Sequence, residues 1–171
     1  MIQIPKAQFS EFIDFFPLLE TPFSLLPDIH QIPTNSLPLP GLLLDAFILP
    51  FEGEEIDDFT EYIPYGKIAG TKDYYAVIYW KAGLMQYEFI LATYSLAGKP
   101  LSHAIIAGIR ADEHGLLHSV AVFHDDLSIT IAEGVASEGD EPDLDQTNTY
   151  QMSIQPTGQI TYGVNEEDKQ E

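Results

Sequence analysis

Cysteine is absent from the 171-residue chain, so disulfides, iron–sulfur clusters and thiolate zinc sites are excluded. Basic residues are scarce: seven Lys and Arg stand against twenty-seven Asp and Glu, a formal charge of −20. Such a charge repels nucleic-acid backbones and anionic lipid, which removes both from the expected partners. No apolar run reaches the length of a membrane-crossing helix. The early residues do not read as a secretion signal, because Lys6 is the lone early cation and Glu11, Asp14 and Pro17 interrupt the aromatic run. Cytoplasmic residence is therefore expected. Also missing are a Walker loop, G-x-G-x-x-G, H-E-x-x-H and G-x-S-x-G, so no cofactor is expected and no catalytic residue is assigned.

What is present is mainly β. From Tyr74 to Ile131 apolar, strand-like runs follow one another: YYAVIYWK, QYEFILATYS, PLSHAIIAG, LLHSVAVFHD and LSITIA. Polar or glycine-containing breaks separate them, as hairpin connections require. The pattern predicts an antiparallel meander forming a strongly curved or closed sheet. A period of two splits each strand into faces. Ala76, Ile78 and Trp80 oppose Tyr75, Val77 and Tyr79, and Ile90, Ala92 and Tyr94 oppose Tyr87, Phe89 and Leu91. Neither side is polar, so both sides of these central strands are expected to be covered. A final hairpin is expected over 150–162, turning at Pro156-Thr157-Gly158.

The chain reads as a single domain, 1–171, long enough to bury roughly 70% of its unfolded surface. Residues 1–64 supply a helix and a proline-rich wrap, 65–163 the meander, and 164–171 a charged tail. The helix is expected over 5–16, where Phe9, Phe12, Ile13 and Phe16 share a face and Pro17 ends it. Nine of the twelve prolines lie before residue 65, which forbids long helices or central strands there. LLLDAFIL, between Pro40 and Pro50, is expected to be one buried strand, with Asp45 the odd residue in it.

The charge is uneven. Sixteen of the twenty-seven acids fall in 52–61, 133–147 and 166–171. If the first two stretches meet at one end of the sheet, Glu52, Glu54, Glu55, Asp57, Asp58, Glu138, Asp140, Glu141, Asp143 and Asp145 form a concentrated negative surface. The first functional reading is then a non-enzymatic module that contacts a basic protein, as an immunity-type protein contacts a cationic toxin. A second is a small-molecule or glycan-binding domain using the Tyr/Trp cluster from Tyr62 to Tyr94, since aromatic faces stack on sugar rings. A third is a histidine-dependent hydrolase or metal enzyme built on His103, His118 or His124 with Asp125. Against the third, His118 and His124 are six residues apart on one strand, roughly 20 Å, too far for a shared ion. His103 is read as core or half-buried. The stretch from Asp143 begins like a calcium loop, but Asn148 stands at its sixth position and Ile154 at its twelfth, so no metal is assigned.

AFILP (46–50) and YAVIYWKAGLMQYEFILATYSLAGKPLSHAIIAG (75–108) resemble a block that recurs in a family of small bacterial β-rich proteins of uncharacterised function. The resemblance covers about half the chain and implies a β-rich domain. It carries no activity and no site residue.

Overall fold

The computed structural model describes residues 8–26, 37–53, 59–84, 86–112, 115–136 and 148–163. Its centre is the meander. Strands β3 (Glu61–Ile68), β4 (Tyr74–Gly83), β5 (Gln86–Ser95), β6 (Pro100–Asp112), β7 (Gly115–Phe123), β8 (Ser128–Ala136), β9 (Asn148–Ile154) and β10 (Ile160–Gly163) follow in chain order, each antiparallel to the next. Two short strands precede them, β1 (Leu18–Leu19), parallel to β3, and β2 (Phe23–Leu25), antiparallel to the end of β7. Among the described residues the ten strands form one strongly curved sheet that is not closed.

Residues 17–25 of the proline-rich region form a strap. Lys67 N–H donates to the Pro17 carbonyl and Ala69 N–H to that of Leu19. After a connection that includes a cis Thr21–Pro22 bond, β2 pairs with Phe123, Val122 and Ala121 of β7. Those residues have no partner on β6, whose pairing with β7 runs only from Gly108↔Ser119 to Asp112↔Gly115. The strap thus links the β3 side of the sheet to the part of β7 that β6 has left. Pro64 is tolerated in β3 because β1 pairs only with Lys67 and Ile68, which leaves Pro64 with a strand on one side alone, and the register with β4 shifts between Pro64 and Gly66.

Both sides of β4 and β5 are buried, as the alternation requires. One side, with Ile78, Trp80, Phe89 and Leu91, packs against Ala121, Phe123, Ile129, Ile131 and Met152 from β7, β8 and β9. The other, with Val77, Tyr79, Ile90, Ala92 and Tyr94, lies under a helical layer. That layer begins with α1 (Phe9–Asp14), whose Phe12 and Ile13 are buried along with Phe16 just beyond it.

The run 41–52 is helical, not a strand. α2 (Gly41–Leu43) passes into a π-helical turn (Leu44–Ile48) and then α3 (Leu49–Glu52). An apolar run of this length carries no decisive period, and the end signals decide it. Leu43, Phe47 and Ile48 fall on one buried side while Asp45 stays exposed. Gly53 closes the helix in the left-handed conformation at φ 70°. Pro50 cannot donate to a carbonyl four residues back and its ring crowds that carbonyl, which accounts for the widened turn before it. The layer is tied to the sheet by the Tyr94 hydroxyl, which donates to the Phe47 carbonyl at 2.6 Å. On the opposite side Thr93, fully buried, donates to the Gly158 carbonyl at 2.6 Å and anchors the last hairpin.

Candidate functional site

Register partners on neighbouring strands project to the same side of a sheet. One such row runs across seven strands: Tyr62 of β3, Lys81, Glu88, Gly108, Ser119, Glu133 and Asn148 of β9. At its β3 end Lys81 forms an ion pair with Glu52 at 2.6 Å, and the Tyr79 hydroxyl donates to the same carboxylate at 3.4 Å. Nearer the middle the row opens into a cleft of about 130 Å³, lined by Glu88, Ile105, Gly108, Arg110, Leu117, Ser119, Glu133 and Tyr150, with Ala107 and Ile109 completing it.

The cleft comes from the backbone of β6. Between Phe89↔Ala107 and Ile90↔Ile105 the register slips, so β6 carries an extra residue, and both Ile106 and Ala107 enter the core. Gly108 follows at φ 141°. It shares the side of Glu88, on which the helical layer lies farther along β5. Its partner Ser119, however, shares the side of Ala121 and Phe123, which enter the core. The two sides of the sheet run together at a residue with no side chain, and the space left over is the cleft.

Glu88 is the telling residue. It is 7% exposed at the head of the buried run 88–94, in which Thr93 is the other polar residue, and no protein group hydrogen-bonds to its carboxylate among the described residues. Burial raises its pKa; Lys81 and Arg110 oppose the rise and Glu52 adds to it. On β9, burial together with the nearby Glu133 carboxylate pushes the Tyr150 phenol up to about 12. The cleft therefore holds two carboxylates, one exposed guanidinium that is ion-paired to neither, a protonated phenol and a hydroxyl.

The Glu88 shift makes a stability prediction with a definite sign. Its pKa is higher folded than unfolded, so between the two values the folded chain holds more protons and stability rises as pH falls. The penalty for burying the charge is complete above the folded pKa. Glu88→Gln removes it, and is expected to stabilise the fold at pH 7 by on the order of 1 kcal/mol. The gain is expected to disappear below the ordinary glutamate value of about 4.3. Urea midpoints of both proteins from pH 4 to 8 check it.

Of the acidic residues singled out from sequence, Glu52 is described, half-buried and held by Lys81. Glu54, Glu55, Asp57, Asp58, Glu138, Asp140, Glu141, Asp143 and Asp145 lie outside the described residues. The residues flanking both stretches are described, and they stand at one end of the sheet. Glu61, at the start of β3, begins a register row that runs through Ala82, Tyr87, Ile109 and His118 to Gly134, near the end of β8. The start of β9 lies beside it.

The histidines do not assemble. His103 is exposed, not half-buried, because Ala104 and Ile106 take the core side of β6; its ring lies tilted against Phe51 at 4.8 Å. Ser102, on the opposite side of the strand, accepts a hydrogen bond from Ile160 N–H. His124 shares a 2.8 Å hydrogen bond with Thr130. His114 is outside the described residues. Among the described residues no three His, Asp or Glu side chains are grouped to hold a metal. The aromatic cluster is largely core: Tyr62, Tyr79, Trp80, Phe89 and Tyr94 are buried, while Tyr87 is exposed and stacks on Trp80.

Sequence reasoning passed over Glu88, Arg110, Ser119 and Tyr150. A signal for the first was available: Glu88 is the only charged residue in QYEFILATYS. No described helix is long and apolar enough to cross a membrane. Comparison with protein-family models, curated proteins and solved structures gave no match.

Proposed function

We propose that this chain is a non-enzymatic binding module that engages a basic protein through the acidic end of its sheet, in the manner of an immunity-type protein. The observation supporting it is that the residues flanking both acid-rich stretches share one end of one sheet. All ten acids first singled out belong to those stretches; Glu52 is committed to Lys81, which leaves nine. Charge gathered at one end steers an oppositely charged partner and speeds encounter, an effect that salt suppresses. Kinship with the small bacterial proteins that the 75–108 block resembles, and cytoplasmic residence, belong to the same proposal.

The test compares the natural protein with a variant in which those nine acids are changed to Asn or Gln. Each is immobilised, exposed to native lysate at low salt and washed at rising salt. A basic protein retained in a fixed ratio by the natural chain, released by salt and not retained by the variant is the expected result. Equal retention by both chains would count against the reading.

A further inference from the structure

We propose that the cleft between β5–β6 and β7–β9 is a socket for one organic cation, an alkylammonium or guanidinium head such as the tip of a lysine or arginine side chain. The inference rests on the reading of the protein as a partner of basic proteins and says where the central contact is made.

Glu88 carries it. A carboxylate on a residue 93% removed from solvent is normally paired or multiply hydrogen-bonded. This one has no hydrogen bond among the described residues, and its oxygens are not sealed off, since none is both buried and unpartnered. They open on the cleft. Glu133, three strands away in the same register row, gives the cleft a second carboxylate, likewise without a hydrogen bond among the described residues.

Size and composition narrow the occupant. A cavity of about 150 Å³ holds a benzene-sized molecule, so 130 Å³ takes one head group with a short stem. Ile105 and Leu117 give apolar wall for methylenes, and the Ser119 hydroxyl and Tyr150 are further polar or aromatic contacts. Arg110 disfavours a cation, but it is exposed, is not ion-paired to either carboxylate and is outnumbered by them. Lys81, which also faces Glu88, is drawn away by Glu52. A simple anion would meet two carboxylates on a chain of charge −20 and is disfavoured.

The experiment uses the full chain, isotope-labelled, titrated with propylammonium, with neutral propanol and with the zwitterion alanine as comparators. Saturable amide shifts at Glu88, Gly108, Ser119 and Glu133 with propylammonium, and none with propanol, are expected. Glu88→Gln is expected to weaken binding about tenfold and Arg110→Gln to tighten it about threefold, since the two changes remove charges of opposite sign. A Glu88→Gln chain that keeps the natural dispersion of amide signals separates lost binding from lost folding. Absence of saturable shifts, equal response to propanol, or response to alanine alone would overturn the socket. Capture of a basic protein from lysate with equal strength by the natural chain and Glu88→Gln would overturn the socket and leave the acidic-end reading standing. Failure of that capture with the natural chain, while propylammonium still binds, would overturn only the protein-partner reading.

Discussion

Gly108→Ala is expected to be among the most damaging single substitutions in the described fold, costing about 4 kcal/mol or preventing folding outright. A Cβ there would stand 2.0 Å from the Tyr87 carbonyl oxygen and 2.9 Å from the Glu88 Cα. Both obstacles are backbone, so no side chain can swing aside. The φ of 141° adds strain for any L residue. Because β6 holds β5 on one side and β7 on the other, displacement there separates the two halves of the core. A control is at hand in Gly41, where an added Cβ meets nothing within 4 Å. Gly41→Ala is expected to change stability by less than about 1 kcal/mol. Urea denaturation of both variants checks the contrast, and similar midpoints would contradict the close approach at Gly108.

Phe12→Ala is expected to cost about 3–5 kcal/mol, the range for removing a fully buried ring. Phe12 has no exposed surface, and its ring lies 5.0 Å from that of Phe16, 4.9 Å from Phe47 and 5.3 Å from Tyr94. It joins α1, the π-helical turn and β5 at one point. The loss is expected to loosen the helical layer before the sheet, because Ile78, Leu91 and Ile131 pack on the other side. Hydrogen exchange resolves the order: faster exchange at residues 9–16 and 43–52 with β7–β9 unchanged is the expected pattern. Uniform acceleration would show that the two sides unfold as one unit.

Why some of this fold is legible from residues alone, and some is not, follows from the kind of signal each part carries. The alternation in 75–94 identifies two covered sides without identifying what covers them. Phe9, Phe12, Ile13 and Phe16 place α1 because helical spacing and Pro17 agree. Residues 41–52 mislead because an unbroken apolar run fits a strand and a buried helix equally, and Gly53 as a stop carries the discrimination. The cleft is hidden for a different reason. It depends on a one-residue slip in β6, and a bulge reverses which residues face which way without altering composition. Glu88, Ser119 and Glu133 are 14 to 45 residues apart in sequence, and only the register brings them into one row.

Glu88 also unites the stability and binding arguments. A residue kept for the fold is expected to weaken it when replaced. Glu88 is expected to do the reverse, giving a more stable protein and a weaker binder, the trade-off typical of functional sites. The most direct measurement is the ¹³C carboxyl shift of Glu88 followed across pH, with and without saturating propylammonium. The groups facing it are Lys81, Arg110, Glu52 and, across the cleft, Glu133 and Tyr150. A midpoint above that of an ordinary glutamate in the free protein, falling when the cation is added, is the predicted result. A midpoint that the cation leaves unchanged would contradict the assignment of the cleft as a cation site.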